Sequence, residues 1–141
     1  MRPLFATTAI VLTLLPWLAG TDAFCIYNDF SEDITLSVIQ YDNYGGNFWQ
    51  KFQADIGPGG MSCCNYKNVH CNKGETPDTI TTFVIFANPD ERKNAGFQDL
   101  HVPSGGSARI GGNIHLPDVK VYDADDNPFF YDGPLVGSLN Y

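Results

Sequence analysis

Four cysteines are the residues of this chain best suited to chemistry, and they stand at Cys25, Cys63, Cys64 and Cys71. In an oxidising compartment, an even number of cysteines in a small domain predicts two disulfides. Neighbouring residues lie about 3.8 Å apart at Cα, whereas an unstrained disulfide needs about 4.4–6.8 Å. We therefore expect Cys63 and Cys64 to bond one each to Cys25 and Cys71, and both pairings stay open. Although His70 adjoins Cys71, adjacent cysteines chelate one ion poorly, so we expect no metal site.

The acidic segment 123–127 is a second group with possible chemistry, because Asp123, Asp125 and Asn127 copy the first ligands of a calcium-binding loop. The copy ends at Pro128, where such a loop needs glycine, and no glutamate stands at its twelfth position. Aspartate and asparagine also tolerate turn geometry. We therefore predict a hairpin turn here and no bound calcium.

The three histidines, His70, His101 and His115, stand in separate runs without a recognisable nucleophile motif. The sequence contains no Gly-x-Ser-x-Gly, no His-Glu-x-x-His and no phosphate-binding glycine loop. A catalytic triad is assembled in space, so a small hydrolase stays as the least favoured alternative. We predict that the protein is not an enzyme and binds no cofactor.

Aromatic side chains crowd the segment 41–49, where they alternate with glycine and asparagine. Tyrosine and tryptophan offer a large contact area at low entropic cost, and neighbouring amides can meet hydroxyl groups. The alternative is that these rings only cover the rim of the fold. The predicted ligand-binding residues are Tyr41, Tyr44, Asn47 and Trp49.

The elements that must position these residues are short β-strands, because runs of β-formers alternate with turn residues and no helical period is sustained. The predicted strands are 24–30, 34–41, 48–56, 81–88, 97–102, 108–116, 119–123 and 129–132. Such spacing predicts an all-β fold: a small, disulfide-stapled antiparallel β-sandwich, or a partly open barrel, of seven or eight strands.

Alternation within segments 34–41 and 48–56 predicts a hairpin with one buried and one wet face. Keeping both apolar sets on one face pairs Ile34 with Ile56, Leu36 with Ala54 and Val38 with Phe52. The same count places Phe48 on the buried face and Tyr41 opposite Trp49 on the wet face. Segment 81–86 is apolar on both faces and should be a central strand. We also predict a tight turn at Gly57–Gly60 and irregular structure over 65–78.

Residues 1–23 are typical of a cleaved signal peptide: Arg2 precedes an uncharged apolar run, and the small residues Thr21 and Ala23 suit signal peptidase. This leaves 24–141 as a single secreted domain. The apolar run is short for a membrane span. The net charge of −8 disfavours nucleic acid and anionic lipid as partners, and we expect no stable membrane insertion.

The segments Phe24-Cys25-Ile26-Tyr27-Asn28, Pro58-Gly59-Gly60, Cys63-Cys64-Asn65-Tyr66 and Cys71-Asn72 together resemble small secreted fungal proteins of uncharacterised function. This resemblance implies an extracellular, effector-like β protein acting between a fungus and its surroundings. The β-rich opening also faintly resembles thaumatin-like proteins, which are longer and carry many more cysteines. No functional residue transfers from either comparison.

Together these features favour a secreted, non-enzymatic, effector-like binding protein whose ligand is a carbohydrate or an extracellular host protein. The alternative is a toxin or antimicrobial protein that acts on membranes. The acidic composition counts against that alternative, since membrane-active segments are usually basic and amphipathic.

Overall fold

The computed structural model describes residues 23–87, 96–114 and 116–131, so the predicted signal peptide lies outside the described residues except for Ala23. Eight β-strands and one short 3-10 helix make up the regular structure of this part of the chain. The strands are β1 (Ala23–Asp29), β2 (Leu36–Gln40), β3 (Gln53–Ile56), β4 (Met61–Asn65), β5 (Ile80–Ala87), β6 (Gly96–Pro103), β7 (Ser107–Asn113) and β8 (Leu116–Tyr122), and the 3-10 helix is Phe48–Gln50.

The strands form two open four-stranded sheets, one in the order β4-β1-β7-β8 and the other in the order β3-β2-β5-β6. Neighbouring strands are antiparallel apart from β1 and β7, which run parallel. The predicted all-β sandwich is thereby confirmed, and its two sheets are open and form no closed barrel. The parallel pair of β1 and β7 corrects the prediction of a purely antiparallel fold.

The core lies between the two sheets and follows from the two-residue period of their strands. Phe24 and Ile26 of β1 face Phe83 and Ile85 of β5, and all four side chains are fully buried. Phe24 and Phe83 meet edge to face, with 5.0 Å between ring centroids. Strand β5 is buried on both faces and pairs with β2 and β6, so the prediction of a central strand is confirmed.

The successive residues Cys63 and Cys64 resolve the cysteine pairing, because side chains alternate between the two faces of a strand. Cys63 lies directly opposite Cys25 in the β1–β4 ladder and bonds to it. Cys64 points towards the core and bonds to Cys71 in the following loop. The two predicted disulfides are confirmed, with Cys25–Cys63 and Cys64–Cys71 as the pairs.

The sequence prediction missed strand β4 and misplaced two other elements. Residues 48–50 form the 3-10 helix instead of opening a strand, so β3 begins only at Gln53. Segment 128–131 forms a single bridge, from Pro128 to Tyr122, instead of a full strand. Strand β4 is short and polar apart from Met61 and its two cysteines, so it lacks the apolar alternation that reveals a strand.

The hairpin of β2 and β3 forms as predicted, but its register differs by two residues: Leu36 pairs with Ile56 and Val38 with Ala54. A shift of two keeps every side chain on its own face, so the hydrophobic pattern cannot distinguish the two registers. In the observed register Gln40 lies opposite Phe52, and its backbone N–H donates to Phe52 O at 3.0 Å. The predicted pairing of Tyr41 with Trp49 is wrong, since the ladder ends before either residue.

A buried amide side chain closes the end of the core beneath the β3–β4 turn. Asn28 Nδ2 donates to Ile34 O at 2.7 Å and to Ile56 O at 2.8 Å, while its Oδ1 accepts from Phe30 N–H. The predicted tight turn beside it is confirmed by the bond from Gly60 N–H to Gly57 O. Segment 66–78 is irregular, also as predicted.

Candidate functional site

The residues predicted to bind a ligand lie on residues 41–52, which join β2 to β3 and which we call the aromatic loop. Trp49 is 89 % exposed, Asn47 is exposed, and Tyr41 and Tyr44 are half-buried. Phe48, predicted to face the core, is 55 % exposed, because it stands in the 3-10 helix and not in a strand. The exposed surface of the loop is therefore the pair Phe48 and Trp49, whose ring centroids lie 5.5 Å apart, edge to face.

The 3-10 helix that presents this pair is closed by bonds between Asn47, which precedes it, and Gln50, its last residue. Gln50 N–H donates to Asn47 O at 2.8 Å, and Gln50 Oε1 accepts from Asn47 N–H at 3.3 Å. Gly46, at φ +107°, adopts a backbone conformation that suits glycine, and a Cβ there would press on Gln50 Oε1. These bonds fix the backbone of the turn from which Phe48 and Trp49 project.

Gln40 ties the two ends of the aromatic loop together. Its fully buried side chain donates from Nε2 to Asp42 O at 2.8 Å and to Cys71 O at 2.7 Å, and Oε1 accepts from Phe52 N–H at 3.1 Å. A buried amide is stable only when its polar atoms are paired, and here each of them is. The sequence gives no sign of this, because Gln40 occupies a core-facing position where an apolar residue is expected.

The aromatic loop rests on residues 64–73, which we call the disulfide loop. Gly45 N–H donates to Val69 O at 2.7 Å, and Gly45 O lies 3.1 Å from His70 Nδ1. A Cβ on Gly45 would come 2.5 Å from Val69 Cγ2, so the close approach of the two loops requires glycine. The Cys64–Cys71 bond and these contacts together support the aromatic pair from below.

Asn43 and Asn72 provide a second connection between the two loops. Asn43 has φ +54°, which asparagine tolerates, and its Nδ2 donates to Asn72 Oδ1 at 3.0 Å. The buried Asn72 donates in turn to Thr76 O at 2.8 Å. Lys73 N–H donates to Asn43 O, so both backbone and side chain of Asn43 are fixed.

Asp42 anchors the start of the aromatic loop to strand β5. Its two carboxylate oxygens accept from Thr82 N–H at 2.7 Å and from Thr82 Oγ1 at 3.0 Å. Because the single hydroxyl proton of Thr82 goes to Asp42, the bond of 3.1 Å between Thr82 Oγ1 and His101 Nδ1 has the histidine as donor. Thr82 and His101, at the inner end of this series of hydrogen bonds, are buried. The spacing of these residues in the sequence did not indicate the contact.

His101 also borders an open groove of about 500 Å³ between β6 and β8. The Tyr131 ring stacks on it, with 3.8 Å between centroids, and Val121 and Phe130 line the same groove. Thr82, which touches the histidine, is only 1 % exposed, so its hydroxyl is not accessible to a substrate as a nucleophile. The arrangement holds β5, β6 and the aromatic loop together.

Lys51 lies at the base of the aromatic pair. Its Nζ is 3.6 Å from the centroid of the Phe48 ring and 5.9 Å from that of Tyr44, which is cation–π geometry. Partial burial lowers the pKa of Lys51. The site therefore combines two exposed rings, one ammonium group and the amides of Asn47 and Gln50.

The acidic segment forms a turn, as predicted, but the predicted hairpin is reduced to the single bridge between Tyr122 and Pro128. Asp123 Oδ1 accepts from the backbone N–H groups of Asp125 and Asn127, each at 2.9 Å, and Asp123 N–H donates to Asn127 O. These hydrogen bonds lower the pKa of Asp123, and the bond from the Asn127 N–H has the largest effect. Asp126 takes φ +64° at the sharpest point. The described residues contain no group of three side chains suited to a metal ion.

Comparison with known proteins yields no relative: no family model, no curated protein and no solved structure matches this chain. Within 23–87, 96–114 and 116–131, no helix is long and apolar enough to cross a membrane. A function for the protein therefore has to be argued from the geometry of its own residues. Of the three histidines, His115 lies outside the described residues.

Proposed function

We propose that this protein is a secreted, non-enzymatic binding protein that holds a carbohydrate on Phe48 and Trp49. The observation that carries the proposal is the 89 % exposure of Trp49 on a loop whose base is hydrogen-bonded throughout. An exposed indole offers a flat apolar face to the C–H face of a sugar ring, and the nearby amides of Asn47 and Gln50 can bond its hydroxyl groups. Since the backbone that carries the rings is already held by hydrogen bonds, little loop entropy is lost on binding.

A carbohydrate suits the size of this surface better than a protein does. A stable protein interface covers about 800 Å² on each partner and is centred on a buried cluster of anchors. The aromatic pair is two rings wide and is bordered by exposed polar residues. Sugars bind to such small, amide-flanked surfaces, so we rank a protein ligand second.

Export and the absence of catalysis belong to the same proposal. The leader-like residues 1–23, the two disulfides and the resemblance to small secreted fungal proteins support an extracellular, effector-like role. A purely binding role is supported by Thr82, whose hydroxyl is buried and already donates to Asp42. It is the group that would otherwise form a nucleophile–base pair with His101.

The test is titration calorimetry of the mature protein with soluble hexasaccharides of glucose, N-acetylglucosamine, mannose, galactose and the common uronic acids. We expect Trp49→Ala to weaken binding of the preferred sugar at least tenfold while costing less than about 1 kcal/mol of stability, because the ring is exposed. Phe130→Ala is the matched control, since Phe130 is 86 % exposed at the other edge of the sandwich. Binding of no hexasaccharide, or equal binding by the Trp49 variant, would contradict the proposal.

A further inference from the structure

Lys51 bears on the charge of the ligand, because its ammonium group has no ionic partner among the residues that the structure describes. In the described part of the chain, Lys51 makes no salt bridge, whereas Arg109 pairs with Asp29 at 2.7 Å and Lys120 with Asp118 at 3.0 Å. A cation over an aromatic ring is attracted by the ring's negative face but keeps its full charge.

The surroundings of Lys51 remove part of the water around its charge. The Phe48 and Tyr44 rings lie 3.6 Å and 5.9 Å from Nζ, and partial burial lowers the pKa of Lys51. A charge that has lost part of its hydration gains free energy when an anion approaches. The Nζ of Lys51 and the Trp49 ring both contact the Phe48 ring, at 3.6 Å and 5.5 Å from its centroid, so a ligand bound on the aromatic pair lies next to the ammonium group.

The charges of the two loops differ in sign from those of the whole protein. The aromatic loop and the disulfide loop contain Lys51, Lys67 and Lys73 but one carboxylate, Asp42, which is bound to Thr82. The chain as a whole has a net charge of −8. Charges act over a Debye length of about 8 Å in physiological salt, so for a ligand bound on the aromatic pair the ammonium group of Lys51, 3.6 Å from the Phe48 centroid, counts more than the net charge of the chain.

We infer that the carbohydrate held by Phe48 and Trp49 is acidic, with a sugar carboxylate placed against Lys51. This inference rests on the proposed function and specifies its ligand as a uronic-acid oligosaccharide. One lysine balances one carboxylate, and the stacked ring supplies the remaining contact. The net negative charge of the protein suppresses unspecific binding of polyanions, so any preference for an acid must arise at the loop itself.

The test compares matched sugars that differ only in charge. Hexamers of galacturonate, mannuronate and guluronate are titrated beside their methyl esters, which keep the rings and lose the carboxylate charges. We expect the wild-type protein to bind at least one acid about fivefold more tightly than its ester at low salt, as befits one partly exposed charge pair. The preference should shrink in 0.5 M sodium chloride. In the predicted mature chain Trp49 is the sole tryptophan, so its emission reports binding at the loop.

Variants of Lys51 assign that preference to one group. Lys51→Gln should bind the acid and its ester equally, whereas Lys51→Arg should keep the preference. Lys120→Gln changes the net charge by the same amount on β8, at the far edge, and should leave the preference unchanged.

The outcomes separate this inference from the proposed function. Equal binding of acid and ester by the wild type, or an unchanged preference in Lys51→Gln, overturns the acidic ligand, while Trp49-dependent binding of neutral sugars would leave the proposed function standing. If Trp49→Ala alters the binding of no saccharide, the proposed function is wrong and the inference fails with it.

Discussion

The aromatic loop and the acidic turn at residues 123–128 lie at opposite edges of the sandwich, and sequence chemistry singles out both. In the acidic turn, the side chain that looks most reactive is used by the turn itself, since Asp123 accepts from Asp125 and Asn127. In the aromatic loop, buried Gln40 and Asn72 provide the support, so Trp49 is left without an internal role. A candidate ligand-binding residue is therefore one that the fold supports but does not use.

The largest expected effects come from removing the two disulfides one at a time. This comparison distinguishes a loss of overall stability from a loss of order in the aromatic loop. On the chain-entropy model, removing Cys25–Cys63 by alanine substitution costs about 4 kcal/mol and removing Cys64–Cys71 about 2.5 kcal/mol. Denaturant unfolding should rank the two pairs in that order. Trp49 fluorescence anisotropy should fall more in the Cys64/Cys71 variant, because that bond closes the loop beneath it. An equal fall in both would show that the aromatic loop has no local support.

Replacement of Gln40 is expected to have the next largest effect. Gln40→Leu leaves Phe52 N–H and the carbonyls of Asp42 and Cys71 without their partner, which should cost about 2 kcal/mol of stability and lower the anisotropy of Trp49. Asn28→Leu at the other end of the core is the matched control, since it should cost stability without freeing Trp49. An ordered Trp49 in the Gln40 variant would mean that other contacts hold the loop.

The smallest expected effect concerns Asp123, whose pKa is lowered by its hydrogen bonds in the folded state. A carboxyl group with a lowered folded pKa stabilises the protein above its unfolded pKa of about 3.9, and this contribution is lost as the pH falls through the folded value. The stability difference between the wild type and Asp123→Asn should therefore be present at pH 6 and disappear in more acidic solution. Asp125→Asn should show no such difference, since the Asp125 carboxylate supports no hydrogen bond of the turn. If the stability difference between the wild type and Asp123→Asn did not change with pH, the charge of the Asp123 carboxylate would not be its cause.

Several parts of the architecture could be predicted because they follow from short-range rules. Alternating apolar residues identify β2 and the central strand β5, since the pleat sends alternate side chains to opposite faces. The exclusion of a bond between Cys63 and Cys64 needs only Cα geometry, and both cysteines do bond elsewhere. The acidic turn was predictable because aspartate side chains bond to backbone two residues on.

Tertiary contacts decided what these rules leave open. The predicted register differs from the observed one by two residues, because every even shift buries the same side chains. In the observed register Gln40 Oε1 accepts from Phe52 N–H, a contact that the apolar pattern does not encode. Which cysteine meets Cys25 depends on strand β4, whose polar sequence hides it. The exposure of Phe48 follows from a 3-10 helix held by a neighbouring loop that is distant in sequence. Local residue patterns determine which segments are strands and turns, whereas long-range hydrogen bonds and one disulfide determine which aromatic rings face the solvent.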